Sequence, residues 1–188
     1  MPIFQKLTEL QKGNRKLSSQ NFKGAMKHFE RHTRAAPDDP IGFAKIGYCY
    51  QNTNRLSNEE VTRTGAILVS ESDKKNAETF YLKALELDPD CLPAIKGMID
   101  ILPEQSERRF AFLKRALAIS ANYIYFLELG DYYRTFLKDF SAAYDRYREA
   151  IQHNSRYPDA YQKIIDISKR LDNGKEANWK EQRAQNVR

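Results

Sequence analysis

The 188-residue chain is 41% hydrophobic and has a net charge of +6, so it has enough apolar side chains to fold around a core. It contains only 8 glycines and 7 prolines, and this scarcity favours helices over a turn-rich β fold. The longest apolar run, Ala66–Val69, is far shorter than the roughly 20 residues of a membrane-spanning helix, so no membrane partner is expected. The first residues also lack the apolar block of a secretory signal.

The two cysteines, Cys49 and Cys91, are far apart and match no metal-binding or redox spacing. Unpaired cysteines are typical of reducing compartments, where disulfides seldom persist. We therefore expect two reduced thiols and a cytoplasmic protein.

An alanine recurs at a nearly fixed period along the chain. Ala116, Ala150 and Ala184 are 34 residues apart, and Ala84 precedes Ala116 by 32 residues. Each alanine lies in a stretch of helical composition. A period of 34 residues indicates a repeated helical hairpin, which buries its apolar face only against neighbouring repeats.

Two further motifs recur at matching distances from this alanine. Two segments have the pattern of a first helix, namely Phe43-x2-Ile46-Gly47-x2-Tyr50 and Phe126-x2-Leu129-Gly130-x2-Tyr133. Three have the pattern of a second helix, namely Ala25-x3-Phe29 with Pro37, Ala77-x3-Tyr81 with Pro89, and Ala143-x3-Tyr147. The small residues allow two helices to approach, the aromatic residues fill the space beside them, and proline ends the second helix.

These motifs resemble those of the tetratricopeptide repeat (TPR) family. The resemblance implies an all-α, right-handed superhelical solenoid of about five helix–turn–helix repeats with a C-terminal capping helix. We expect one domain over residues 1–188, with repeats at about 3–38, 39–90, 91–121, 122–157 and 158–188. The fourth repeat has one extra residue in its turn, and the last helix is polar apart from Trp179.

The second repeat departs from the family pattern by an insertion of 18 residues, placed at about 53–72. Ser57 and Glu60 match a capping box, so a short helix running towards Val69 is predicted. Two interpretations of this insertion stay open. It is either an elongated hairpin tip without function or a functional loop.

The sequence contains no recognisable catalytic constellation. No glycine-rich phosphate loop, nucleophile motif or zinc-protease helix is present. His28 and His32 are four residues apart on a predicted helix, but nothing nearby offers a third metal ligand. We therefore expect no enzyme activity, no cofactor and no metal site, with His28 exposed and His32 packed.

In the TPR family, first helices line a concave groove in which partners bind. The resemblance implies that a partner peptide or protein contacts the groove residues, which carry mixed charges: Asn14, Lys45, Tyr48, Lys96, Asp100, Leu127, Glu128, Asp131, Gln162, Lys163 and Asp166. The chain is accordingly interpreted as a protein-binding adaptor or scaffold whose partner and oligomeric state the sequence leaves undefined.

Two alternatives stay open. Between Lys6 and Arg34 there are eight Lys/Arg and two Asp/Glu residues, and such a surplus attracts nucleic acid or an acidic partner. A nucleic-acid-associated protein using these N-terminal helices is one alternative. A TPR-type secretion or folding chaperone is the other.

Overall fold

The computed structural model describes residues 8–53, 70–172 and 174–187, which form ten α-helices, one π-helical turn and no β-strand. The helices in the first half are α1 (Glu9–Ser18), α2 (Phe22–Ala35), α3 (Pro40–Thr53), α4 (Glu71–Leu87) and α5 (Leu92–Ile101). Those in the second half are α6 (Glu107–Ile119), α7 (Tyr123–Tyr132), the π-helical turn (Tyr133–Leu137), α8 (Phe140–His153), α9 (Pro158–Leu171) and α10 (Glu176–Asn186). The short helix predicted within the insertion lies outside the described residues.

The chain forms two compact units, Met1–Ile101 and Leu102–Arg188. The first contains α1–α5 and the second contains α6–α10. The boundary falls between α5 and α6, the two helices of the predicted third repeat, so the single domain over residues 1–188 stays a prediction.

Local sequence explains where the helices begin and end. Thr8 forms a capping box with Gln11 at the start of α1, since each side chain bonds to the other residue's backbone N–H. A polar side chain also caps five other helices, and these residues are Asn21, Ser70, Ser106, Asn122 and Asp139. Pro37, Pro89 and Pro103 each follow the last residue of a helix by two positions, as expected of residues that cannot continue one.

The core of the first unit is built from aromatic rings beneath glycines. Phe29 is fully buried under Gly13, where an added Cβ would lie 2.3 Å from the ring. Tyr81 is 1% exposed and is covered from two sides, by Gly47 and Gly97. The predicted role of the small residues is confirmed, because no larger side chain fits above these rings.

The fifth repeat completes the core of the second unit. Trp179 on α10 is 8% exposed and joins a cluster that includes Tyr161 and Ile165 of α9. Its indole N–H also donates a hydrogen bond of 3.2 Å to the hydroxyl of Tyr144 on α8. Trp179 therefore covers the first helix of its own repeat, as predicted, and also contacts the preceding repeat.

The π-helical turn accommodates the extra residue of the fourth repeat. The carbonyl of Tyr133 accepts from the backbone N–H of Lys138, five residues on, and from that of Asp139 at 3.0 Å. Lys138 ends the turn in the left-handed conformation, with φ at 58°. The irregular backbone of this hairpin therefore lies at residues 133–138.

Within the described ranges, no helix combines the length and apolar character needed to cross a lipid bilayer.

Candidate binding surface on the first helices

Asp131 on α7 is the centre of a polar network in the second unit. Its carboxylate accepts a hydrogen bond of 2.8 Å from the hydroxyl of Tyr147 on α8. The ammonium group of Lys163 on α9 lies 2.8 Å from both carboxylate oxygens, and Arg134 lies 3.5 Å from one of them. This network joins two successive first helices, α7 and α9, directly through the Asp131–Lys163 pair, and the tyrosine of the helix between them bonds to the same carboxylate.

Three other polar contacts extend this surface. Glu128 on α7 pairs with Arg109 of α6 at 2.7 Å. On α9, Gln162 donates to Asp166 at 3.0 Å and accepts from Arg183 of α10 at 3.2 Å. The acidic groups predicted to line the groove of this unit are therefore each held by a neighbouring donor.

Burial and Asp131 together raise the pKa of the Tyr147 phenol. Burial disfavours the phenolate, and the adjacent carboxylate disfavours a second negative charge. Tyr147 therefore stays a hydrogen-bond donor, and its hydroxyl fixes the position of Asp131.

Tyr81 occupies the equivalent position in the first unit. Its hydroxyl donates a hydrogen bond of 2.6 Å to the side chain of Gln51 on α3. Burial raises its pKa most, and the nearby Asp100 and Tyr48 raise it further. Two predicted groove residues, Tyr48 and Asp100, thus both disfavour the phenolate form of one buried tyrosine.

The other predicted residues of the first unit differ in exposure. Asn14, Lys96 and Asp100 are exposed, whereas Lys45 is half-buried. Tyr48 is 43% exposed, and the edge of its ring contacts Phe22 with a centroid separation of 6.3 Å. Tyr48 is therefore an accessible aromatic side chain on a first helix.

Leu127 is the predicted groove residue that presents almost no surface. It is 6% exposed and packs in the same cluster as Phe126 and Trp179. Its side chain belongs to the core rather than to a face that a partner reaches.

Motif spacing did not identify several of the polar partners, namely Gln51 in the first unit and Arg109, Arg134, Tyr147 and Arg183 in the second. One sequence signal was available for the tyrosines. The motif position filled by Phe29 in the first repeat holds Tyr81 and Tyr147 in the second and fourth. Since a buried tyrosine hydroxyl needs a partner, the substitution marks where a polar residue of a first helix must lie.

The two histidines of α2 bind separate carboxylates. His28 lies 2.8 Å from Glu9, and His32 lies 2.7 Å from Asp39. The expectation of an exposed His28 is wrong, because this contact leaves its side chain 21% exposed. Among the residues described, no group of three potential metal ligands occurs.

Glu9 contacts several basic side chains of the first hairpin. Besides His28, it binds Lys12 at 2.5 Å and lies 3.8 Å from Arg31. The hydrogen bond to His28, followed by that to Lys12, lowers the pKa of Glu9 from 4.5 to about 2. The basic surplus of this region is thus partly offset by a carboxylate among the cations.

Helical hairpins whose buried aromatic rings lie beneath small residues define a helical-repeat protein of the tetratricopeptide type. Neither a protein-family profile nor a curated protein sequence matches the chain. Comparison with solved structures supports the predicted class.

Three solved structures illustrate the similarity. MamA is 17% identical with a TM-score of 0.68, covering 95% of this chain and 89% of MamA. PilF of Pseudomonas aeruginosa is 18% identical with a TM-score of 0.68, covering 96% and 75%. YrrB, a TPR protein with an unusual peptide-binding site, is 13% identical with a TM-score of 0.65, covering 94% and 84%. The chain has the tetratricopeptide-repeat fold, and the all-α class is confirmed.

Proposed function

We propose that this protein is a non-catalytic adaptor that binds a partner peptide or protein through side chains on the first helices of its repeats. The observation that carries the proposal is the Asp131 network, in which α7 and α9 hold polar side chains in fixed positions at a half-exposed surface. Side chains fixed in this way lose little further entropy when a partner binds. YrrB, which shares the fold, is itself described as having a peptide-binding site.

The first unit adds an anchor of another kind. Tyrosine combines a large contact area with a polar end and is enriched at protein interfaces. Tyr48, exposed beside Phe22, has these properties. A partner with an apolar side chain fits this position.

The cytoplasmic location is part of the proposal. Cys49 and Cys91 are free and buried. Burial raises the pKa of the Cys49 thiol to about 12 and also raises that of Cys91. Such thiols are structural and unreactive, as in proteins of a reducing compartment.

The experiment is selection of random short peptides displayed on phage against the full chain. We expect selected peptides to bind less tightly to Tyr48→Ala or Lys163→Ala than to the wild type. Leu82→Ala is the control for Tyr48, because Leu82 is 38% exposed on the second helix α4. Arg156→Ala, in the loop before α9, is the control for Lys163.

Recovery of no peptide above background would contradict the proposal, as would equal losses in test and control variants. Tight binding of a single-stranded oligonucleotide with steep salt dependence would favour the nucleic-acid alternative instead.

A further inference from the structure

A cleft of about 310 Å³ lies between the π-helical turn and α9. Three cationic side chains line it: Arg134 and Lys138 from the turn, and Arg170 from the last turn of α9. Asp166 is the carboxylate in the cleft wall, and it already accepts a hydrogen bond from Gln162. The cleft is therefore strongly positive although the surrounding surface has mixed charge.

The cations of the cleft are only partly neutralised by the described part of the chain. Within the described ranges, Lys138 and Arg170 form no ion pair, and the Arg170 guanidinium lies 4.0 Å from the centre of the Phe140 ring. Arg134 is 3.5 Å from Asp131, but Lys163 holds both oxygens of that carboxylate at 2.8 Å. Donors of all three cations thus remain available to a ligand.

The backbone at Lys138 supports this interpretation. Its φ of 58° is in the left-handed region, where glycine avoids the steric cost that a Cβ imposes. A lysine at this position extends a positive side chain into the cleft wall, which a glycine would not. The π-helical turn that creates the position is irregular, and such turns occur frequently at functional sites.

We infer that this cleft binds the carboxylates of an acidic peptide segment, and the inference rests on the proposed function of peptide binding. Carboxylates accept charge-assisted hydrogen bonds from guanidinium and ammonium groups, and these bonds are stronger than neutral ones. Phe140 and Ile167 form an apolar wall, and Leu137 beside Lys138 is 52% exposed. An extended peptide with acidic and apolar side chains matches this combination.

The surroundings of the cleft disfavour a nucleic acid. A neighbouring cleft of about 210 Å³, which shares Arg134 with the first, has an excess of acidic side chains. Its three carboxylates, Glu104, Glu128 and Asp131, outnumber its two cations, Arg109 and Arg134. A nucleic acid has a phosphate at every residue and would meet this excess of carboxylates, whereas a peptide places carboxylates only where cations meet them. The Phe140 ring is also covered by Arg170, so it offers no open face on which a base would stack.

The test is a fluorescence-anisotropy titration, at low salt, of a labelled peptide of alternating Glu and Ala and of its Gln and Ala counterpart. The wild type should bind the Glu peptide at least about tenfold more tightly than the Gln peptide. The double variant Lys138→Gln/Arg170→Gln should lower the affinity for the Glu peptide by about tenfold or more, because two charged donors are lost.

Lys114→Gln/Arg156→Gln is the matched control in the second unit. It removes the same lysine and arginine charges from exposed positions outside the cleft, and Lys114 also lies over an aromatic ring, that of Phe110. This control should change the affinity by less than about threefold, because only the general attraction of net charge is lost. Thermal melts of both double variants should match the wild type, since all four side chains are exposed.

Equal affinity for the Glu and Gln peptides, or equal losses in the two double variants, would overturn the inference. So would an oligonucleotide that binds more tightly than the Glu peptide and loses affinity only in Lys138→Gln/Arg170→Gln. Phage selection separates this failure from failure of the proposed function. If the selected peptides lack acidic residues and bind Lys138→Gln/Arg170→Gln as tightly as the wild type, the inference fails but the adaptor function is supported. If no peptide is selected, the adaptor function itself is contradicted.

Discussion

Gly130 on α7 lies directly against the ring of Tyr147 on α8. A Cβ placed on Gly130 would be 2.5 Å from Cε1 of Tyr147 and 2.7 Å from Cδ1. No real Cβ approaches an atom that closely, so either the ring or the helix would have to move. Because Tyr147 is fully buried and its hydroxyl is bonded to Asp131, this contact links core packing to the polar surface above it.

Gly130→Ala should lower the free energy of unfolding by about 1–3 kcal/mol, the usual cost of overpacking a core. The measurement is urea denaturation followed by circular dichroism. The double variant Gly130→Ala/Tyr147→Leu supplies the control, because removing the ring frees the space that the new methyl group needs. Additive losses in the double variant would show that the two residues do not compete for this space.

Ala150→Leu should lower the free energy of unfolding by about 1–3 kcal/mol, because Ala150 is fully buried in a packed core. Ala184→Leu is the matched control, since Ala184 is the same motif alanine one repeat later but is exposed on α10. Ala184→Leu should change the free energy of unfolding by no more than about 0.5 kcal/mol. Differential scanning fluorimetry and denaturant titration would measure both, and equal effects would show that the predicted register is wrong.

The Asp131–Lys163 pair should have a coupling energy of about 0.5–1 kcal/mol, near the upper end for partly exposed ion pairs. A double-mutant cycle of Asp131→Ala and Lys163→Ala measures it, and high salt should reduce it through screening. The Asp145–Arg148 pair on α8 is the comparison. Its two side chains are 46% and 45% exposed and 3.1 Å apart, so its coupling should be close to zero. Equal coupling in the two pairs would contradict the structural role given to the Asp131 network.

The pH dependence of stability should include a contribution from Glu9. Its pKa is lowered from 4.5 to about 2 by His28 and Lys12, so its ionised form stabilises the folded chain above pH 4.5. This stabilisation should be lost as the pH falls from about 4.5 to about 2, because protonation removes the accepting charge.

Denaturation curves of the wild type and Glu9→Gln across this range test the contribution. The difference between the two proteins should shrink as the solution becomes more acidic. Glu71→Gln is the control, because the side chain of Glu71 is 88% exposed, and it should leave the pH profile unchanged. A constant difference between wild type and Glu9→Gln would rule out the contribution of Glu9.

Trp179→Ala should destabilise the chain by about 3 kcal/mol or less, since removal of a buried large aromatic costs about 3–5 kcal/mol and a final helix frays more easily. Asn178→Ala, at an exposed neighbouring position of α10, should change stability by less than about 0.5 kcal/mol. Trp179 is the one tryptophan of the sequence, so its fluorescence reports the release of α10 directly in the wild type. An unchanged unfolding transition in Trp179→Ala would contradict its role as a cap.

Motif spacing alone determined the fold class and most of the core. Gly47 and Gly130 were identified as points of close helix approach, and each lies against a buried aromatic ring. This succeeds because a repeat imposes the same packing requirement at the same distance along the chain. The exception is Ala184, which has the motif spacing but is exposed, because the described residues place no further helix over it.

The polar surface was decided by tertiary structure. The sequence shows Asp131, Tyr147 and Lys163 as separate residues on three helices. Only packing brings the Tyr147 hydroxyl and the Lys163 ammonium group to 2.8 Å from the Asp131 carboxylate. Leu127 illustrates the same limit, since spacing assigned it to a groove and the structure buries it among core side chains. A period in the sequence fixes which side chains face the neighbouring helix. The angles and distances at which helices pack decide which polar atoms meet, and those depend on the shapes of all the side chains between them.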